Sequence, residues 1–152
     1  MSARARLLLV TLLLTALWWG PAAAHLLELP SKMQLGRDDY LTVQQIYSGW
    51  ALSGVIVIAA LLACAGLVWV ARGTTWFAYA LAAFLSLVVA HALFWAFTFP
   101  ANRATANWTT LPASWASLRV QWEYSHAAAA GLTLLALLCL ILAATRMLRG
   151  AG

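Results

Sequence analysis

Charge is what this sequence has least of. Only 9% of its 152 residues are Asp, Glu, Lys or Arg, and just four of them are acids. Water-soluble domains carry roughly 25% charged residues, so a soluble fold is excluded, in agreement with a mean hydropathy of +0.86. Cysteine is nearly absent as well. Cys64 and Cys139 are lone thiols without C-x-x-C spacing, which excludes a disulfide scaffold and gives no support to disulfide exchange or thiol-based quinone chemistry. In apolar runs such residues serve as small packing groups. Internal repeats and low-complexity tails are missing too. The formal charge is +5, yet the basic residues are scattered at the ends of apolar runs rather than gathered into a patch, which excludes nucleic acid as a partner.

What the sequence does have is apolar length. Runs at about 7–28, 46–71, 75–98 and 120–145 each approach the ~20 residues that a helix needs to cross hydrocarbon. Backbone polar groups in lipid must be bonded internally, so such runs become helices. The expected fold is all-α: an integral membrane four-helix bundle of antiparallel up-down topology, one domain over residues 1–152. Arg4, Arg6, Arg72, Arg146 and Arg149 fall on one side, with no acid there, which marks that side as cytoplasmic. Both termini are then inside, and the chain is a multi-pass protein of the cell inner (plasma) membrane with lipids as its partners. The first run has a competing reading. Its basic start, apolar middle and Ala22-Ala23-Ala24 end also describe a cleavable signal peptide. Continuation of the run to Pro30 favours a retained helix. Cleavage after Ala24 would leave His25 as an N-terminus, offering a metal both amine and ring.

Between the runs, Pro30 is expected to stop the first helix, and Asp38 or Asp39 to cap the second. Gly49 and Gly54, with Ser48 and Ser53, suggest a helix-packing face. The third helix is expected to end at Phe99-Pro100. An outer loop over about 99–118 contains no glycine and reads as ordered, with Trp108 and Trp115 at the depth where interface anchors sit.

Laid out by depth, the ionisable groups converge. At 1.5 Å per residue, His25, His91 and His126 lie ~27, ~24 and ~28 Å from the inner ends of their helices, with Glu28 and Glu123 about one turn further out. Ionisable groups inside a membrane are costly and mark a site by default. His25-x-x-Glu28 and Glu123-x-x-His126 each put an acid and an imidazole on one helix face, and E-x-x-H on facing helices is the ligand pattern of carboxylate-bridged dimetal centres. His25, Glu28, His91, Glu123 and His126 are therefore candidate ligands of a transition metal, Fe, Cu, Zn or Mn. Two other arrangements fit the same residues. One is a satisfied polar network, with Arg119 paired to Glu123, Lys32 to Glu28 and the histidines to one another. The other is a haem held by two of the histidines.

At HLLELPSK (25–32), PANRATANWT (100–109) and Trp115-x-x-x-Arg119-x-x-Trp122-Glu123-x-x-His126, the chain resembles the anthrone oxygenase-like family of small four-helix membrane proteins, long catalogued as a domain of unknown function. The resemblance implies a membrane oxidoreductase, since characterised members oxidise anthrones to anthraquinones with molecular oxygen. The chemistry then suggests an oxygenase or oxidase acting on a hydrophobic aromatic or quinol-like molecule near the outer face. His126, Glu123 and His91 are the candidate catalytic residues, by metal ligation or by proton abstraction without a metal. Asn102, Asn107, Trp108, Arg119 and Trp122 are the candidate substrate-binding residues. A non-enzymatic metal-binding protein and a structural subunit of a membrane complex are the alternatives, and a homo-oligomer is compatible with each.

Overall fold

The computed structural model describes residues 2–149. Helix α1 (Ala3–Lys32) is followed by a short α2 (Arg37–Gln44), two 3-10 turns, then α3 (Gly54–Ala71) and α4 (Phe77–Leu93). Through a π-helical turn α4 continues into α5 (Phe99–Ala104), and α6 (Trp115–Arg149) closes the chain. No strand occurs among the described residues. Four stretches are long and apolar enough to cross a membrane: Ala3–Lys32, Trp50–Ala71, Phe77–Ala104 and Trp115–Arg149. They pack as a ring in which α6 touches α1 and α4, and α3 closes it between the same two helices. The expected all-α membrane bundle is the observed one.

The inner half of the ring closes tightly because its facing positions are small. Ala60, Ala80, Ala83, Ala136 and Ala143 have no exposed surface, and such residues let helix backbones approach each other where no hydrophobic effect drives them together. Leu67, Leu87 and Leu140 fill the remaining space, with Cys64 and Cys139 beside them as packing groups. Leu13, Leu62 and Leu138 point outward and are half or more exposed, as lipid-facing side chains must be.

The outer half departs from the expected helix ends in three places. First, Pro30 does not stop α1. It removes one helix hydrogen bond, but only two helical residues follow, and Met33 N–H closes the last turn on the Leu29 carbonyl at 3.0 Å. That extension swings Lys32 into the bundle. Second, the second span does not run unbroken from residue 46. Gly36, not an aspartate, caps α2; Asp38 and Asp39 sit in its first turn, where the helix dipole favours negative charge. The chain then breaks at Gly49, whose φ of 84° lies in the left-handed region that glycine enters without penalty.

Third, the third span passes straight through Phe99-Pro100. Residues Phe94–Thr98 widen into a π turn, and Pro100 falls at the start of α5, where its missing N–H and fixed φ are tolerated. Gln121 Nε2 donates to the Phe97 carbonyl at 2.8 Å, and the Thr98 and Ser125 hydroxyls bond at 2.8 Å, tying the widened turn to α6. The loop after α5 spans only 105–114, shorter than the expected 99–118, because α5 and the start of α6 take up its ends. Ala106, Asn107 and Trp108 all adopt positive φ, at roughly 1–2 kcal/mol each. Burial of Trp108 (3% exposed) and bonds from the Asn107 and Trp108 backbone to Asn102 and Thr105 hold them there.

Ala83→Leu, at a fully buried position of the inner core, should lower stability by about 1–3 kcal/mol through overpacking. Leu138→Ala on the lipid face should leave it nearly unchanged. Thermal unfolding of both variants in detergent, read by circular dichroism, checks the contrast.

Candidate functional site

The two-residue extension of α1 past Pro30 sets up the outer half of the bundle. Lys32 is the chain's only lysine and is 3% exposed. Its Nζ lies 3.0 Å from the carboxylate of Glu123, which has no exposed surface, and 3.6 Å from Glu28. It also donates to the Tyr47 hydroxyl at 3.1 Å and rests against the rings of Tyr47 and Trp122. Tyr47 in turn donates to Glu28. On the far side, the Tyr40 hydroxyl donates to Glu123 at 2.9 Å and accepts from Gln44 at 2.5 Å. One ammonium, two carboxylates and two phenols thus form a continuous network joining α1, α2, the following turn and α6. Burial and the adjoining carboxylates raise both tyrosine pKa values well above the ordinary phenol value, so Tyr40 and Tyr47 stay donors across any physiological pH.

Lys32 therefore pairs with Glu28, as expected, but it also takes the partner expected for Arg119. The Arg119 guanidinium instead donates to the Leu35 carbonyl at 2.8 Å and stacks over Tyr40 and Trp115. It pins the α1–α2 turn.

Beside this network lies a cavity of about 780 Å³. Its wall takes His25 from α1, His91 and Trp95 from the α4 end, Trp50 from the broken link, and Trp122 and His126 from α6. Of the residues expected to bind substrate, Asn102, Asn107, Trp108 and Trp122 line it and Arg119 does not; nor do the expected ligands Glu28 and Glu123. The carboxylates stand behind the wall and the imidazoles face the space.

The state of each imidazole can be read from its partners. His126 Nδ1 lies 2.9 Å from the Trp122 carbonyl. A carbonyl only accepts, so Nδ1 carries the proton and Nε2 of the neutral ring is left as an acceptor. In His91 the opposite nitrogen is used, because Trp95 Nε1 donates to its Nε2 at 3.0 Å. His25 packs within 4.4 Å of the His126 ring centroid and 4.5 Å of Tyr47, and its Nδ1 is buried without a partner. Trp122 braces the pair, with its ring 4.0 Å from His126 and 5.0 Å from His25.

The five residues expected as metal ligands are thus brought to one level but not into one ligand set. Glu123 and Glu28 are engaged by Lys32 and the tyrosines, and His91 by Trp95, leaving the His25–His126 pair. Among the described residues, no group of three or more His, Cys, Asp or Glu side chains is placed to hold a metal ion. A carboxylate-bridged dimetal centre does not fit this arrangement.

Tyr40, Gln44, Tyr47, Trp50 and Trp95 complete the site beyond the residues singled out from sequence. A signal for three of them exists: Tyr40, Gln44 and Tyr47 recur at i, i+4 and i+7, the spacing of one helix face.

Family models, curated proteins and solved structures give no significant match to the chain. Its chemistry has to be argued from the site itself.

Lys32→Met should destabilise the protein by about 3–5 kcal/mol, since it leaves a buried carboxylate unpaired. Lys32→Met combined with Glu123→Leu should recover most of that loss, because an apolar replacement of a whole buried pair is often neutral. Unfolding of the two single variants and the double variant measures the coupling.

Proposed function

We propose that this chain is a membrane oxidoreductase of the oxygenase or oxidase type, acting on a hydrophobic aromatic or quinol-like molecule in the outer-half cavity. The observation that carries the reading is His126. A backbone carbonyl fixes its tautomer and leaves one nitrogen free, and the residue lines an aromatic-walled cavity of about 780 Å³, within the size range of small-molecule sites. A neutral imidazole is suited to general-base work near neutral pH.

In this scheme His126 takes a proton from an activated methylene, and the electron pair left on carbon reduces dioxygen and forms a C–O bond. Loss of the second C–H proton with cleavage of the O–O bond yields a carbonyl. One CH2 and one O2 give one C=O and one water, with no other reductant. With a quinol, the base receives hydroxyl protons, and two electrons and two protons pass to dioxygen, giving quinone and hydrogen peroxide. His25 sits against His126 and shares the proton load. Trp50, Trp95 and Trp122 supply flat apolar walls. Glu123 and Lys32 act through position, by holding the two histidine-bearing helices together. We place the chain in the inner (plasma) membrane with the cavity toward the outer leaflet, where an apolar substrate arrives through lipid.

A second reading is favoured by the His25–His126 contact and the unpartnered His25 Nδ1. In it the imidazole pair holds one transition-metal ion, either as part of an oxidase or in a non-enzymatic metal-binding protein. Such an ion would supply Lewis acidity or redox capacity at that place.

Oxygen uptake with anthrone as the probe tests the first reading. Purified protein in liposomes should consume oxygen only when anthrone is present, and His126→Ala should lower the rate by about 10²–10⁴-fold, the usual contribution of a general base, without altering the melting temperature. An unchanged rate in the variant would sink the role of His126. Elemental mass spectrometry on the same preparations addresses the metal: a stoichiometric ion lost in a His25→Ala/His126→Ala variant supports the second reading, and a fully active, metal-free protein rejects it.

A further inference from the structure

We propose that Asn102 is the specificity-determining residue of the cavity, a fixed hydrogen-bond donor that selects a ligand bearing an acceptor oxygen. The inference rests on the cavity being the substrate site and goes further by naming the atom that reads the ligand.

Asn102 lies in α5 and lines the cavity. Its side-chain oxygen accepts two indole N–H bonds, from Trp122 Nε1 at 2.7 Å and from Trp108 Nε1 at 3.1 Å. An indole N–H can only donate. Amide orientation, which usually has to be inferred from the hydrogen-bond network, is therefore dictated here: the oxygen faces the two indoles and the NH2 faces away. That NH2 meets no protein acceptor among the described residues and is not among the buried unpartnered atoms, so it keeps accessible surface on a residue that lines the cavity.

Several other polar side chains of the wall are already committed. Tyr47 gives its proton to Glu28, Gln45 Nε2 donates to the Trp108 carbonyl at 2.7 Å, and Trp95 N–H goes to His91. Asn102 keeps donors to spare. Trp122 also sets their place relative to the histidines. The indole whose N–H locks Asn102 is the one packed on His25 and His126. The cavity therefore carries a donor and a basic acceptor at two edges of one aromatic plate. A ligand in the cavity between them is held by its oxygen at Asn102 while a proton faces His126.

Calorimetric titration of the full chain in detergent, at pH 8, with 1-tetralone and with tetralin separates the oxygen contact from apolar burial, because the two probes differ by one carbonyl. Wild type should bind tetralone about tenfold more tightly, the worth of one net hydrogen bond. Asn102→Asp keeps an oxygen for both indoles but replaces the NH2 with a second acceptor. It should melt as wild type does and bind tetralone no better than tetralin. His126→Ala should keep the tetralone preference while losing anthrone-dependent oxygen uptake. Equal binding of both probes by wild type would overturn the inference and leave the cavity reading intact, as would a preserved preference in Asn102→Asp or a lost one in His126→Ala. Binding of neither probe would overturn both.

Discussion

The contact between Lys32 and Glu123 is the constraint on which the outer half of this bundle depends. Two unlike charges with almost no exposed surface are stable together and costly apart. Their pairing fixes the outer end of α1 against α6 in both register and rotation. Every other polar element is organised from that point. Glu28 and Tyr47 complete the shell around the ammonium, and Tyr40 and Gln44 complete the shell around the carboxylate. Because α2 contributes Tyr40 and Gln44, this amphipathic segment is held down on the ends of the spanning helices. Glu123 and His126 are three residues apart on α6, and Lys32 and His25 seven apart on α1, so both helices turn their charged residues and their imidazoles to the same side. Locking the ion pair therefore brings His25 against His126.

The same geometry separates two kinds of polar work. Carboxylates and ammonium neutralise one another behind the wall, while neutral imidazoles and an amide face the cavity. A membrane protein has good reason for that division. Exposing a charge to an apolar ligand would strip its remaining solvation, whereas a neutral imidazole and an amide lose far less. The network therefore supplies position, and the wall supplies proton transfer and recognition.

Much of this was legible in the sequence. Four apolar runs predict four spans, and the matched depths of His25, His91 and His126 predict one polar level. Asn102, Asn107, Trp108, Trp122 and His126, all taken from the Pro100–Thr109 segment and the motif ending at His126, line the cavity. What could not be read was rotation about each helix axis, and two breaks in regularity control it. Helix α1 runs two residues past Pro30, which turns Lys32 inward between the two glutamates expected as metal ligands. The π turn at Phe94–Thr98 adds a residue to one turn of the third span and re-aims Trp95 and Thr98. Neither break has a sequence signal of its own, since Pro30 reads as a terminator and nothing in FWAFT marks a wider turn. Tyr40 was missed for a different reason: it lies outside every apolar run, and only packing of α2 onto the helix ends buries it.

These breaks also explain why there is a cavity at all. In the inner half, small residues let all four helices close, and the ring has no room to spare. In the outer half the second span starts late, because Gly49 breaks the chain and the preceding segment folds back as α2 and a 3-10 turn. Helix α3 thus leaves its quarter of the ring unfilled just where α4 widens. Trp18, Trp50, Trp95 and Trp122 border the gap, and indoles are too rigid and too broad to collapse into it. The empty volume is the necessary result of pairing one shortened helix with one widened helix among residues that cannot repack. Its aromatic walls, the locked Asn102 amide and its paired imidazoles are consequences of the same two interruptions.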